Sequence, residues 1–400
     1  MSWRLVTFEA LDVLVSADAR PLGDGGWGHD GEISPAAFAG CLRTLILRRA
    51  GYRFGETSQT CTAEKAAEVI GLGLDSGFDF RFAGPLLLTE GGLLFPAPRT
   101  LLFKNGLVQD RLGPTRDDGR LRDAAMDGLE LLGAGRTDGE PAEGWMGAGS
   151  LAATLKHVPD GGAPWDPLNV TMQRPGDLIH RERRFGHERS DHGVVAEGKL
   201  FSRGVLRFSE KTLRSDLAAV KMAGLLRGVG DDLFPAGAHT ARLAGDGHLA
   251  RIEMLSSEAS EGYVTELEEL RQKLPGLLEQ FRGLTLYLAT PAIFENGWRP
   301  ESFEQATGLA LRAAAVGKPR IIGGWDWKKK RPKRLWRAVP AGSVYFFELP
   351  EDADSTVIDT LVKTYFLAEA VTDAYGNLGF GLAVLGAWDG RRRNEEATDG

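Results

Sequence analysis

Apolar β-rich blocks and amphipathic blocks follow one another along this chain without regular strand–helix alternation, an order that favours an α+β protein over a doubly wound parallel sheet. Residues 3–15 (WRLVTFEALDVLV) predict a first strand. A glycine-rich loop, ARPLGDGGWGHDGE (19–32), leads to Ser34 and Pro35, an N-cap and first helical position. Ala37, Phe38, Cys41, Leu42, Leu45 and Ile46 then recur at helical spacing. Residues 78–103 predict two strands joined at Glu90-Gly91-Gly92, with their prolines at a sheet edge. Residues 105–193 are rich in Gly, Asp and Arg, and predict long surface loops or insertions.

Beyond residue 194, EGKLFSRGVLRFSE predicts a strand or hairpin, and 261–281 an amphipathic helix interrupted near Pro275. Residues 284–294, 341–349 and LAVLGAW predict buried strands; 355–371 predicts a helix with Ile358, Leu361, Val362 and Tyr365 on one face. The economical arrangement is two βαββαβ ferredoxin-like (RRM-like) domains, 1–193 and 194–400, with long inserted loops and hairpins. The length of 400 residues agrees with two domains.

Charge is distributed unevenly. The chain carries a formal −7, yet residues 317–337 (GKPRIIGGWDWKKKRPKRLWR) hold nine Lys/Arg against Asp326 alone. Three tryptophans, Trp325, Trp327 and Trp336, are interleaved with those cations. Cations neutralise phosphates and indoles stack on bases, a combination suited to single-stranded nucleic acid. GNLGFGLAVLGAW (376–388) adds glycines whose bare backbone N–H groups can approach a phosphate. A solvated basic hairpin and a structural turn are the plain readings of the same residues.

Other motifs lead nowhere firm. GVVAEGKL (193–200) departs from a P-loop because Leu200 stands where a hydroxyl residue would hold magnesium. GLGLDSG (71–77) follows a helix-like segment, not the strand that a dinucleotide fingerprint requires. HRERRFGHERSDH (180–192) reads as a solvated charged loop, or as an RNA-contacting arm through Arg183 and Arg184. Two cysteines, Cys41 and Cys61, give neither a disulfide framework nor a four-cysteine zinc site. No apolar run reaches the length of a membrane span, and MSWRLVTFEALDVL lacks signal-peptide organisation. The expectation is a cytoplasmic chain with no membrane partner, no cofactor, no metal and no catalytic residue.

Seven blocks in order resemble the RAMP superfamily of CRISPR-associated proteins, and within it the third subunit of the Cmr (type III-B) effector complex. They are DVLVSADARPLG (12–23), ISPAAFAGCLR (33–43), FAGPLLL with LLFPAPRTLLF (82–103), GHERSDHGVVAEGKLFS (186–202), YLATPAIFENGWRP (287–300), GGWDWKKKRPKRLWRAVPAGSVYFFE (323–348) and GFGLAVLGAW (379–388). The resemblance implies a non-catalytic subunit that holds the repeat-derived 5′ tag of a guide RNA. It also implies pairing with a large polymerase-like subunit and with RAMP backbone subunits, and indirect engagement of target RNA. Carried onto this chain, Gly379, Gly381 and Gly386 become an RNA-facing loop, and Arg20, Gly40 and Arg43 tag contacts. Lys328, Lys329, Lys330, Arg331, Lys333 and Arg334 supply the basic surface. Here ARLAGDGHLAR (241–251) departs from the family's usual glycine-and-acid tract. The enzymatic alternative is a metal-independent endoribonuclease of the RAMP type that processes repeat RNA, with His180, His187 and His192 as acid–base candidates. A third reading is a pure protein–protein adaptor.

Overall fold

The computed structural model describes residues 3–15, 34–49, 80–115, 129–133, 139–158, 165–189, 195–209, 219–229, 234, 237–326 and 330–390. The first half is organised by β1 (Arg4–Ala10), α1 (Pro35–Arg49), β2 (Arg81–Thr89), β3 (Gly92–Pro96), β4 (Trp145–Gly147) and α2 (Ala148–Leu155). A hairpin, β5 (Ile179–Arg189) and β6 (Val195–Phe208), precedes β7 (Lys221–Arg227), β8 (Gly237–Arg242) and β9 (Leu249–Met254). The seven-stranded sheet has the order β8-β9-β1-β7-β2-β3-β4. Its alternating side chains divide between two cores: Val6 and Phe8 join α1, whereas Leu5 faces the second half of the molecule. On the α1 side, Phe38 meets Phe8 edge-on at 5.0 Å and stacks on Phe82 at 6.0 Å.

The second half runs α3 (Thr265–Phe281), β10 (Arg282–Leu288), α4 (Glu301–Thr307), β11 (Ala310–Ala315), β12 (Val344–Glu348), α5 (Ser355–Tyr365) and β13 (Ala383–Asp389). Its sheet has the order Lys156–His157, then β13-β10-β12-β11. Four strands and two helices in the sequence β10-α4-β11-β12-α5-β13 are thus laid out fourth-first-third-second. The first sheet contains the same order in β9-β1-β7-β2, but between β7 and β9 the described residues supply the strand β8 where the pattern would have a second helix. The α+β expectation holds. The sheet containing β1 continues to Met254, and residue 194 falls between the two arms of the β5–β6 hairpin.

Three local expectations change. The 180–192 segment is no loop up to Arg189: it forms β5, paired with β6 from Ile179 opposite Phe208 to Arg189 opposite Val195. Helix α3 runs through Pro275, because Leu267, Leu270, Leu274 and Leu278 are all buried on one stripe. Burying four leucines outweighs the roughly 3 kcal/mol that an interior proline costs. Pro85 sits in an interior strand, not at an edge; the ladder skips between Ala223 and Leu225 where Gly84 and Pro85 lie opposite. The two halves share a hydrophobic core, and Glu369 after α5 pairs with Arg81 at the start of β2 and with Arg227, at 3.4 Å, at the end of β7.

Candidate nucleic-acid interface

Three segments far apart in the sequence meet beside the start of α1. The first is that start itself, where the Ala37 N–H donates to the Ser34 carbonyl at 2.9 Å and Pro35 opens the helix. The Ser34 hydroxyl is buried and finds no partner among the described residues.

The second segment is the glycine loop. Tyr375, Gly379 and Gly381 have φ of +62°, +101° and +76°. A Cβ on Gly379 would lie 2.8 Å from the Gly84 carbonyl oxygen and 3.2 Å from Pro35 Cβ; one on Gly381 would lie 2.6 Å from the Val371 oxygen. Glycine at 379 therefore lets the loop lie against β2 and α1, and glycine at 381 lets it fold back on Val371 and Thr372. Side chains staple it down: Thr372 Oγ1 accepts from the Ile293 N–H at 2.9 Å, and Asp373 accepts from the Glu295 N–H at 2.8 Å and from the Ser302 hydroxyl. The Gly381 N–H donates to the Pro291 carbonyl at 2.8 Å, and that of Gly379 to Gly376 at 3.4 Å. These N–H groups are engaged within the protein, so the expectation that they grip a phosphate is corrected. Gly386 is corrected too. It is buried inside β13 opposite Thr285, and a Cβ there would meet the Leu155 oxygen at 2.3 Å.

The third segment is the basic arm. Ala292–Ile293 pairs with Trp336–Val339, which pairs in turn with Arg320–Ile322. From this small sheet projects an arm in which Trp325–Asp326 pairs with Arg331–Pro332. Lys330, Arg331, Lys333 and Arg334 are exposed. Arg334 lies 3.7 Å over the Trp336 ring, whose other contacts are in the apolar cluster of Ile293, Ala338 and Phe380. The indole is thus already covered by a guanidinium, not open to a base as the sequence suggested. Ala36 from α1, with Tyr375 and Leu378 from the glycine loop, packs against the same cluster. That cluster joins all three segments.

The remaining expected residues lie more widely. Gly40 is exposed on α1 with nothing within 4 Å of where a Cβ would stand. Arg43 is drawn inward over the Phe80 ring at 4.9 Å, and burial lowers its pKa. Arg183 and Arg184 are exposed on β5 but point to opposite faces, and Arg184 reaches the Asp12 carboxylate at 3.4 Å. Arg20, Lys328, Lys329 and His192 lie outside the described residues. Arg99, Arg181 and Arg320, which sequence reasoning did not single out, line a cavity beside Pro35. No local pattern links three arginines so far apart in the chain.

His180 and His187 stand seven residues apart on one extended strand, about 23 Å at ~3.3 Å per residue, and face opposite ways. His180 Nε2 is instead within 3.1 Å of Ser209 Oγ. Among the described residues no cluster of three or more His, Cys, Asp or Glu side chains could hold a metal, and no helix is long and apolar enough to cross a membrane.

Residues 6–388 match the family described as CRISPR-associated protein (Cas_Cmr3). Among solved structures, the chain is similar to one in a cryo-EM structure of the type III-B Cmr-beta bound to cognate target RNA. Identity is 14%, coverage 86% of this chain and 86% of that one, and the TM-score 0.48. A chain from the same assembly bound to cognate target RNA and AMPPnP, state 1, is 13% identical over 90% of this chain and 89% of its own, with a TM-score of 0.46. No curated protein matches.

Proposed function

The chain belongs to the Cas_Cmr3 family of CRISPR-associated proteins, and from that premise we propose that it is a non-catalytic, RNA-binding subunit of a type III-B effector complex. It holds the repeat-derived 5′ tag of the guide RNA, and pairs with the large polymerase-like subunit and with RAMP backbone subunits. The two fourth-first-third-second strand orders are diverged ferredoxin-like units in this reading. One observation carries the RNA assignment: the basic arm, the glycine loop and the start of α1 are fixed together through one apolar cluster. An exposed run of Lys330, Arg331, Lys333 and Arg334 held at a constant orientation is suited to a phosphate backbone. The glycine loop acts as the support that fixes this geometry, since its N–H groups are engaged internally.

The test is charge reversal at Lys330, Arg331 and Lys333 in the assembled complex. Losing three phosphate contacts flattens the dependence of log K on log salt by about 2, at roughly 0.7 per contact for a single strand. Unchanged guide occupancy and salt slope would remove the arm from the RNA path. His180 and His187 stand too far apart to act together as acid and base. Incubation with repeat RNA should therefore give no specific cleavage; cleavage lost in His187→Ala would overturn the non-catalytic assignment.

A further inference from the structure

We propose that Trp298 anchors a protein-docking surface, on which another subunit of the effector complex lays an arginine or lysine side chain over the indole. Glu295, Asn296, Gly297 and Trp298 form an exposed run directly after the buried Phe294, and Trp298 is 41% exposed. A single exposed apolar side chain means little by itself. What sets this one apart is the loop that holds it. The Tyr345 hydroxyl, reaching from β12, donates to the Trp298 carbonyl at 2.6 Å, and the Gly297 N–H closes the turn on the Phe294 carbonyl at 3.3 Å. Asp373 accepts from the Glu295 N–H, the Asn296 amide donates to Glu301, and Arg299 donates to Glu304 through Nε and Nη2 at 2.7 and 2.9 Å. The indole is therefore presented by a backbone that is already ordered, which removes much of the entropy cost of binding through it. Tryptophan on such a support is the residue type that dominates protein interfaces.

Charge decides the kind of partner. Residues 294–304 carry Glu295, Glu301 and Glu304 against Arg299, and Asp373 adds a fourth carboxylate, so the surround is −3; Arg337 on the paired strand Trp336–Val339 reduces it only to −2. Arg299 is committed to Glu304, whereas Asp373 and Glu301 take neutral donors and keep their charge. A negative surround repels a polyanion and attracts a cation, and the indole face adds a cation–π attraction that strengthens as water leaves. A guanidinium can stack on the ring and still reach a carboxylate beside it. RNA is thereby directed to the arm and protein to this loop. The two are joined by Ala292–Ile293, which pairs with Trp336–Val339 at the root of the arm and leads directly into the loop. Asp373 ties the same loop to the glycine segment, so a docked protein would steady the joint beneath the arm. This inference rests on the subunit reading for the origin of its partner.

The experiment titrates the full chain with each purified subunit of the complex in turn, and with the guide RNA. Trp298→Ala, whose melting curve is recorded to show that the fold persists, should weaken binding to one protein subunit about thirtyfold, the threshold of an interface hot spot. Trp298→Phe should recover most of that loss, and Glu295→Gln should slow association and flatten its dependence on salt. Guide RNA binding should stay at the wild-type level in all three variants. If Trp298→Ala binds every subunit as tightly as the wild type does, the docking surface falls and the subunit reading stands. Loss of guide RNA with unchanged protein affinities would make the indole a base-stacking platform and overturn the proposal, as would a wild-type dimer, seen by sedimentation, that Trp298→Ala dissolves. Weakening by Trp298→Ala with no effect of Glu295→Gln or of salt overturns the cationic partner. A wild-type chain that binds none of the subunits overturns the surface and the subunit reading together.

Discussion

Adding one methyl group at Gly381 and at Gly40 should move stability in opposite directions. Gly381 has φ +76°, a region that costs a residue with a Cβ about 1–2 kcal/mol. The new Cβ would also stand 2.6 Å from the Val371 oxygen and 2.8 Å from Thr372 Cβ. Neither can retreat freely, because Val371 accepts no slack: its N–H donates to the Gly381 carbonyl at 2.8 Å, and Thr372 holds Ile293. Overpacking of this kind adds about 1–3 kcal/mol. The expected destabilisation by Gly381→Ala is therefore about 2–5 kcal/mol. At Gly40 the backbone is helical and nothing lies within 4 Å of the new Cβ, so Gly40→Ala should stabilise by about 0.5–1 kcal/mol. Urea unfolding followed by tryptophan fluorescence reads both as shifts of the midpoint at unchanged slope. The decisive result against this reasoning is a Gly381→Ala protein with the wild-type midpoint that no longer holds guide RNA. The glycine would then face the RNA and not the protein.

Two further outcomes follow from burial. Burial pushes the Cys41 thiol up to about 12, so iodoacetamide at about pH 8 should leave it unmodified in the native protein and alkylate it in urea. Peptide mass spectrometry reads this, and rapid native alkylation would contradict the packing of α1. His157 is held well below its ordinary pKa of 6.5, first by burial and then by the nearby Arg111 charge. The folded state thus binds fewer protons than the unfolded one, so stability present above about pH 6.5 is lost as pH falls below it. Replacing His157 by Leu should flatten the decline of the urea midpoint between about pH 7 and pH 5. An identical decline in the variant would assign it to other groups.

Sequence reasoning succeeded where one local signal dominated. Continuous apolar runs marked β10, β12 and β13, and Glu90-Gly91 marked the turn between β2 and β3. It failed where cross-strand pairing decided the outcome. Strand β5 carries Arg181, Arg183, Phe185 and His187 on one face and His180, Glu182 and Arg184 on the other. Charge on both faces removes the apolar alternation by which a strand is recognised, and only its pairing with β6 defines it. Pro275 misled for the opposite reason, a strong local rule overridden by a tertiary stripe. Among the site residues, the arm was visible as a density of charge. The burial of Gly386, by contrast, depends on the approach of Leu155 from α2, a contact that no spacing within 376–388 encodes.

A charged run acquires direction only when its base is fixed, and this one is fixed by apolar contacts rather than by its charges. The chain carries −7 in total while its 317–337 segment carries nine cations and one acid, so the rest of the molecule is more acidic still. That acidic remainder is screened from an approaching polyanion beyond about 8 Å at physiological salt, whereas the arm acts at contact. The polyanion is thus drawn to one face. Ile293, Ala338 and Phe380 hold that face against Ala36 at the start of α1. Orientation of the arm relative to the first sheet therefore depends on a small hydrophobic joint and on Gly379, which permits its close approach, not on the lysines and arginines that the sequence displays most openly.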